Sequence, residues 1–230
     1  MAVKKRRRTK GYRRDQAALV LAILKEHYGP AECTLDFADD PWRLLVGGIL
    51  AAQCTDERVN KVTPSLFERY PTVQDMALAQ PEEIEPYIKS CGLYRNKAKG
   101  IHGSALKIVT AFGGQVPAEQ KALQSLPGVG RKIANLLIGD AFGGQAIVVD
   151  THCGRIARLL GLTKETDPLK VERDLLQFVP PTEQTAWGHY LVTHGRACCQ
   201  ARKPDCDRCP IAPCCDTGIA AGIPVHAALA

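Results

Sequence analysis

Six of the ten cysteines in this 230-residue chain fall within residues 198–215, "CCQARKPDCDRCPIAPCC", so any fold for it must bring several sulfurs to one place. Whether they meet as disulfides or as metal ligands depends on the compartment. The basic start followed by "AALVLAIL" faintly resembles an export signal, but Asp15 interrupts it, Lys25 and Glu26 close it, and no small-residue cleavage site follows. In a chain that is not exported, crowded cysteines point to metal before disulfides. Structural zinc usually takes two close pairs, whereas here only Cys206 and Cys209 form a C-x2-C. Taking Cys199 and Cys215 as their partners gives C-x6-C-x2-C-x5-C, four thiolates closing a loop of a size to hold an iron–sulfur cube. Spacing alone leaves iron–sulfur, zinc and reduced structural cysteines open. Cys33, Cys54, Cys91 and Cys153 lie apart and read as small apolar core residues.

The rest of the chain reads as helices. "QAALVLAILKEHYG" starts after Asp15 and stops at Gly29-Pro30, in the order a single helix requires. "DPWRLLVGGILAAQCTDERVNKVTPSLFERYP" is too continuously apolar for a surface helix and is expected to be buried. "PEEIEPYIKSCGLYRNKAKGIHGSALKIVTAFGG" reads as a helix, a glycine-containing turn and a second helix. Only "AIVVD", residues 146–150, has the β-branched character of a strand, and it lacks a partner, so it is read as extended. With 45% hydrophobic and 23% charged residues the chain is an ordinary globular one, and no apolar run approaches the roughly 20 residues of a membrane span. Its net charge of +6 comes from residues 1–14, which hold eight Lys or Arg and no acid before Asp15, leaving 6 − 8 = −2 for the remainder. Such an arm suits a polyanion, or is simply a solvated, disordered tail. The small-residue tail, "GIAAGIPVHAALA" (218–230), is likewise expected to be disordered.

Residues 126–137, "LPGVGRKIANLL", raise a different question. Gly128 and Gly130 offer the backbone freedom that a sharp helix-to-helix turn needs, and Pro127 fixes φ before it. Behind them Ile133, Ala134, Leu136 and Leu137 mark one apolar stripe, so a helix begins near Gly130 and Lys132 sits in its first turn. A cation is disfavoured there, because the unpaired N–H groups and the positive end of the macrodipole prefer an anion. A turn with a purely structural role leaves that lysine unexplained. A turn that grips a nucleic-acid backbone and needs a lysine of lowered pKa accounts for it.

The stretches "LPGVGRKIAN", "VVDTHCGRIARLLGL" and "HGRACCQARKPDCDRC", with the C-x6-C-x2-C-x5-C spacing, resemble the endonuclease III family of helix-hairpin-helix DNA glycosylases and abasic-site lyases, and the similarity runs from about residue 15 to 215. The resemblance implies an all-α fold of two helical lobes with a DNA-binding cleft between them. One lobe is a helical barrel carrying the hairpin (34–144). The other joins residues 15–33 to 145–217 around a 4Fe-4S cluster on Cys199, Cys206, Cys209 and Cys215. The expected activity is removal of oxidised pyrimidines, such as thymine glycol, from duplex DNA, by a monomeric soluble protein of the cytoplasm and nucleoid with no membrane association.

Site residues carry over position by position. Lys132 matches the nucleophile that attacks C1′ of the damaged nucleotide, and since a free lysine titrates near about 10.4, burial and the helix N-terminus are expected to lower its pKa. Asp150 matches the aspartate that stabilises the charge developing on the sugar, and it is also well placed to cap "THCGRIARLL". His152 is read as structural. Chemistry at C1′ requires the nucleotide to leave the stack, and Gln53 in "AAQCTD" and Leu93 in "CGLYRNKA" match the residues that fill the gap. By residue type alone Leu93 would be a core anchor. Gly128, Gly130 and Arg131 match the phosphate-holding hairpin. Two positions depart from the family pattern: neutral Gln124 where an acid is common, and Ala51 where a hydroxyl residue is. Both bear on rate and substrate range. An adenine glycosylase of the same superfamily would carry a catalytic glutamate in the helix that contains "VGGILAAQCTD", which has no acid before Asp56. A non-catalytic hairpin module would not need Lys132 and Asp150 together. A zinc-structured interaction protein would explain neither Lys132 nor the gap-filling residues.

Overall fold

The computed structural model describes residues 8–230, and these are all helical, with no strand among them. In chain order the helices are α1 (Lys10–Tyr28), α2 (Pro41–Leu50), α3 (Asp56–Arg69), α4 (Val73–Leu78), α5 (Pro81–Ile88), α6 (Tyr94–Ala111), α7 (Gln120–Gln124), α8 (Arg131–Leu136), α9 (Thr151–Leu160), α10 (Pro168–Leu175), α11 (Gln184–Ala197) and α12 (Asp216–Ala220). They divide into two compact units, one of residues 33–146 and one formed by the chain up to 32 together with 147–230. The "AIVVD" segment is extended and forms no ladder with any described residue.

In the unit of residues 33–146 the organising element is α2. Asp40 caps it, its carboxylate accepting from the backbone N–H of Trp42 and Arg43, both at 3.0 Å, and Pro41 occupies the first turn where its missing N–H costs nothing. Trp42 and every residue from Leu44 to Leu50 are buried, against Leu66, Met76, Ile84, Ile88, Ile101 and Ile108 of the helices around it. The apolar run expected to continue through this region is interrupted. It breaks after Leu50, and α3 starts afresh with Thr55 as its cap, the hydroxyl accepting from Arg58 N–H at 3.3 Å. Asp56 and Glu57 follow in the first turn, the usual acidic signature of a new helix start.

The second unit packs α1 and α9–α12 about Val20, Leu24, Ile156, Leu160, Leu175, Trp187 and Leu191. Both expectations of disorder need correction here. Residues 1–7 of the basic arm lie outside the described residues, but residues 10–14 belong to α1, which Thr9 caps by accepting from Tyr12 N–H at 3.2 Å. Arg13 is not a free cation: it pairs with Asp216 at 2.9 Å and donates to the Leu160 carbonyl at 3.1 Å. Arg8 also pairs with Asp216. Next to Arg13 the buried Gln16 amide donates to the carbonyls of Leu160 and Cys214, at 2.9 and 2.6 Å. The tail is folded as well. Residues 216–220 form α12, His226 N–H reaches the Pro213 carbonyl at 2.9 Å, and Leu229 is buried in the core beside α1. One apolar side chain able to close a core outweighs a small-residue composition.

Candidate functional site

The turn between α7 and α8 is a platform built on α6. Ser104 Oγ donates to the Pro127 carbonyl at 2.7 Å, and Gly103 lets the helix approach so closely that a Cβ on it would meet Pro127 Cγ at 3.1 Å. Gly128 holds φ at +79°, which favours glycine. Across the hairpin the Gln120 amide donates to Asn135 Oδ1 at 2.6 Å, joining α7 to α8. The opposite side is open: a Cβ on Gly130 would meet nothing within 4 Å. A backbone held rigid behind and exposed in front is what an approaching phosphate requires.

Gly130 is the N-cap of α8, so Arg131 and Lys132 occupy its first turn while Ala134 and Asn135 turn inward. Lys132 is exposed. The expectation that burial helps to activate it is therefore not met within the protein itself. Asp150 belongs to the other unit, half-buried, and caps α9 with its Oδ1 accepting from Cys153 N–H at 2.7 Å. The cap immobilises its carboxylate. His152 packs against Gly195, where a Cβ would meet its Nδ1 at 2.4 Å, in keeping with a structural role.

Gln53 and Leu93 share a feature that residue type does not reveal. Both take the left-handed backbone conformation uncommon outside glycine, with φ of 53° and 46°. Both are exposed, Leu93 to 56%, so the core role that its type would suggest is replaced by an apolar side chain held out into solvent. Between the two turns lies Lys97, which the sequence reading passed over and which is only 5% exposed. Its ammonium donates to the carbonyls of Leu50 and Cys91, at 2.8 and 2.7 Å, and burial lowers its pKa from the ordinary lysine value. The available signal was its register: Lys97 lies on the same stripe of α6 as Ile101, Ala105 and Ile108, the face that is buried.

The cysteine-rich loop brings five thiols together in the second unit. Cys198, Cys206 and Cys215 all lie near enough to Cys199 to raise its pKa further, after burial itself, and Cys198 and Cys199 do the same to Cys209. Cys199, Cys209 and Cys215 also pack against the apolar core. Cys199 is held by its carbonyl, which accepts from Arg155 Nη2 at 2.6 Å, and Cys215 Sγ donates to the Leu159 carbonyl at 3.2 Å. Convergent thiols, of which burial makes Cys198, Cys199 and Cys209 harder to ionise, are suited to a cationic metal, which would supply the missing positive charge. Cysteine sulfurs in this number are compatible with an iron–sulfur group and equally with zinc. One local pairing differs from the expected set: Cys198, not Cys199, lies with Cys209 and His194 in a group whose ligand atoms are all within 4.8 Å of one another. Cys214 is fully buried in the core.

Residues 46–181, more than half of the chain, match the HhH-GPD superfamily of base excision DNA repair proteins. The endonuclease III of Synechocystis is 48% identical over 204 residues, 88% of this chain and 93% of that protein. The chain belongs to the endonuclease III family. Two solved members of that family superpose on it with a TM-score of 0.84 at 38% identity, over 93% of this chain and 98% of theirs: a non-covalent endonuclease III–DNA complex and a trapped endonuclease III–DNA covalent intermediate. Family membership agrees with the all-helical architecture and with the hairpin. No helix among the described residues is long and apolar enough to cross a membrane.

Proposed function

We propose that this chain removes oxidised pyrimidines such as thymine glycol from duplex DNA and then cuts the strand through a lysine Schiff base. As a member of the endonuclease III family it is a base excision repair DNA glycosylase and abasic-site lyase. The observation that carries the finer reading is Lys132, an exposed amine one residue beyond Arg131 at the mouth of a glycine hairpin whose back is locked to α6. N–H groups around Gly128 and Gly130 take a phosphate, which leaves the lysine to act on the sugar. Its deprotonated amine attacks C1′, and the glycosidic electrons leave with the base. The nitrogen lone pair then expels the ring oxygen O4′, which takes up a proton, and the resulting open-chain iminium acidifies the C2′ proton, whose removal expels the 3′ phosphate by β-elimination. Docked DNA supplies the desolvation that an exposed Lys132 lacks in the free protein. Asp150, held by its cap, stabilises the charge on the sugar. Gln53 and Leu93 enter the gap left by the extruded nucleotide. The protein acts as a monomer in the compartment that holds DNA. The test is base release and strand cleavage on duplexes carrying thymine glycol, 8-oxoguanine opposite adenine, or an abasic site. Activity confined to 8-oxoguanine:adenine would replace this reading with the adenine glycosylase one.

Cys199, Cys206, Cys209 and Cys215 are proposed to hold a 4Fe-4S cluster, which when bound supplies a structural crosslink for the loop between α11 and α12. Protein prepared without oxygen should be yellow-brown and contain iron and sulfide, and Cys199→Ser should lose most of that colour while Cys198→Ser keeps it. Iron retained by Cys199→Ser and lost by Cys198→Ser would move the ligand by one residue. Zinc alone in the wild type would instead favour the site of His194, Cys198 and Cys209.

A further inference from the structure

We propose that Lys97 is a positioning residue that ties the turn bearing Gln53 to the turn bearing Leu93, so that the two gap-filling side chains enter DNA as one unit. The proposal rests on the gap-filling reading of those two residues. The geometry begins at the end of α2, where Leu50 is the last helical residue and its carbonyl belongs to the group that finds no partner within the helix. An ammonium at that end caps it and suits the negative pole of the dipole. Lys97 Nζ does this at 2.8 Å, and at 2.7 Å it also takes the Cys91 carbonyl, the last residue of the 3-10 turn at Lys89–Cys91. Gln53 lies three residues beyond the first carbonyl and Leu93 two beyond the second.

A second contact joins the same two turns: the thiols of Cys54 and Cys91 are near neighbours. Each loop is thus held on both sides of its left-handed residue or directly beside it. Lys97 also anchors the start of α6, its own N–H donating to the Leu93 carbonyl at 3.1 Å. Two strained residues on unconnected turns would otherwise relax independently, since each sits in a sparsely populated backbone region. Burying a lysine is costly without partners, and here both partners are the carbonyls that precede the two probes.

The test is a coupling cycle on the full-length iron-containing protein, read as single-turnover base release from a thymine glycol duplex. Lys97→Met keeps the length of the side chain and removes its donors. It should slow base release by roughly 10- to 100-fold, as expected for losing hydrogen bonds from a charged donor. The paired change Gln53→Ala with Leu93→Ala removes the probes themselves. Adding Lys97→Met to that pair should cost less than about threefold, because residues acting through one device are non-additive. A Lys97→Met penalty of the same size with and without the probes would overturn the proposal in favour of a general stability role, as would a folded Lys97→Met protein of wild-type rate. Wild-type rate in the Gln53→Ala, Leu93→Ala protein would overturn the gap-filling reading and the proposal with it. If Lys97→Met does not fold by circular dichroism, Lys97→Gln, which keeps two N–H donors but is shorter and uncharged, is used instead: its slowing should be smaller and should likewise vanish once both probes are removed, and a slowing that persists without the probes would overturn the proposal.

Discussion

Lys132→Ala is expected to give no covalent adduct when borohydride is added to the protein on abasic or lesion-bearing DNA, whereas the wild type is fixed to it through the reduced Schiff base. Lys132 is exposed at the start of α8 and its side chain supports no core contact, so the substitution should change stability by no more than about 0.5 kcal/mol. The hairpin depends on Gly128, Gly103 and the Ser104 hydrogen bond instead, and it remains to hold phosphate. DNA binding measured by electrophoretic shift should therefore survive while trapping disappears. Lys132→Gln should behave alike, since it keeps the reach and lacks a nucleophilic amine. An adduct of undiminished yield in Lys132→Ala would place the nucleophile on another amine.

Asp150→Asn is expected to slow base removal by about 10²-fold or more, if the carboxylate both assists proton transfer and stabilises the cationic sugar. Asn is also a good N-cap, so its amide oxygen can keep the bond that Asp150 accepts from Cys153 N–H at 2.7 Å. The melting temperature should thus stay close to that of the wild type while the single-turnover rate falls. Asp150→Ala separates the two roles further: it should lose the rate to a similar extent and in addition about 1 kcal/mol from the uncapped α9. An Asp150→Asn protein with full activity would leave the residue with a capping role alone.

Much of the helical organisation was legible because its signals are local. Asp40-Pro41, Thr72 with Asp75, Asp150 and Asp167-Pro168 each announce a helix start within four residues, and each caps the helix that follows. The same holds for the glycine turn after Leu126, where conformational freedom is a property of the residues themselves. The break between α2 and α3 was readable in principle, since Thr55-Asp56-Glu57 is a start signal, but the continuous apolar run on its N-terminal side masked it. α1 starts earlier than Asp15 suggests, because Thr9 caps it and Arg13 finds Asp216, more than 200 residues away.

By itself, then, the sequence determined the helical class, most helix starts, the hairpin and the crowding of sulfurs, all of which depend on dihedral preferences, periodicity and spacing over a few residues. Tertiary structure alone decided that Leu93 stands in solvent, that Leu229 closes a core and that Lys97 is buried between two distant carbonyls. Hydrophobicity says only that an apolar side chain gains by burial and a charged one loses. Which apolar residue is left outside, and which lysine finds enough carbonyls to stay inside, depends on where packing brings segments such as 50 and 97 together.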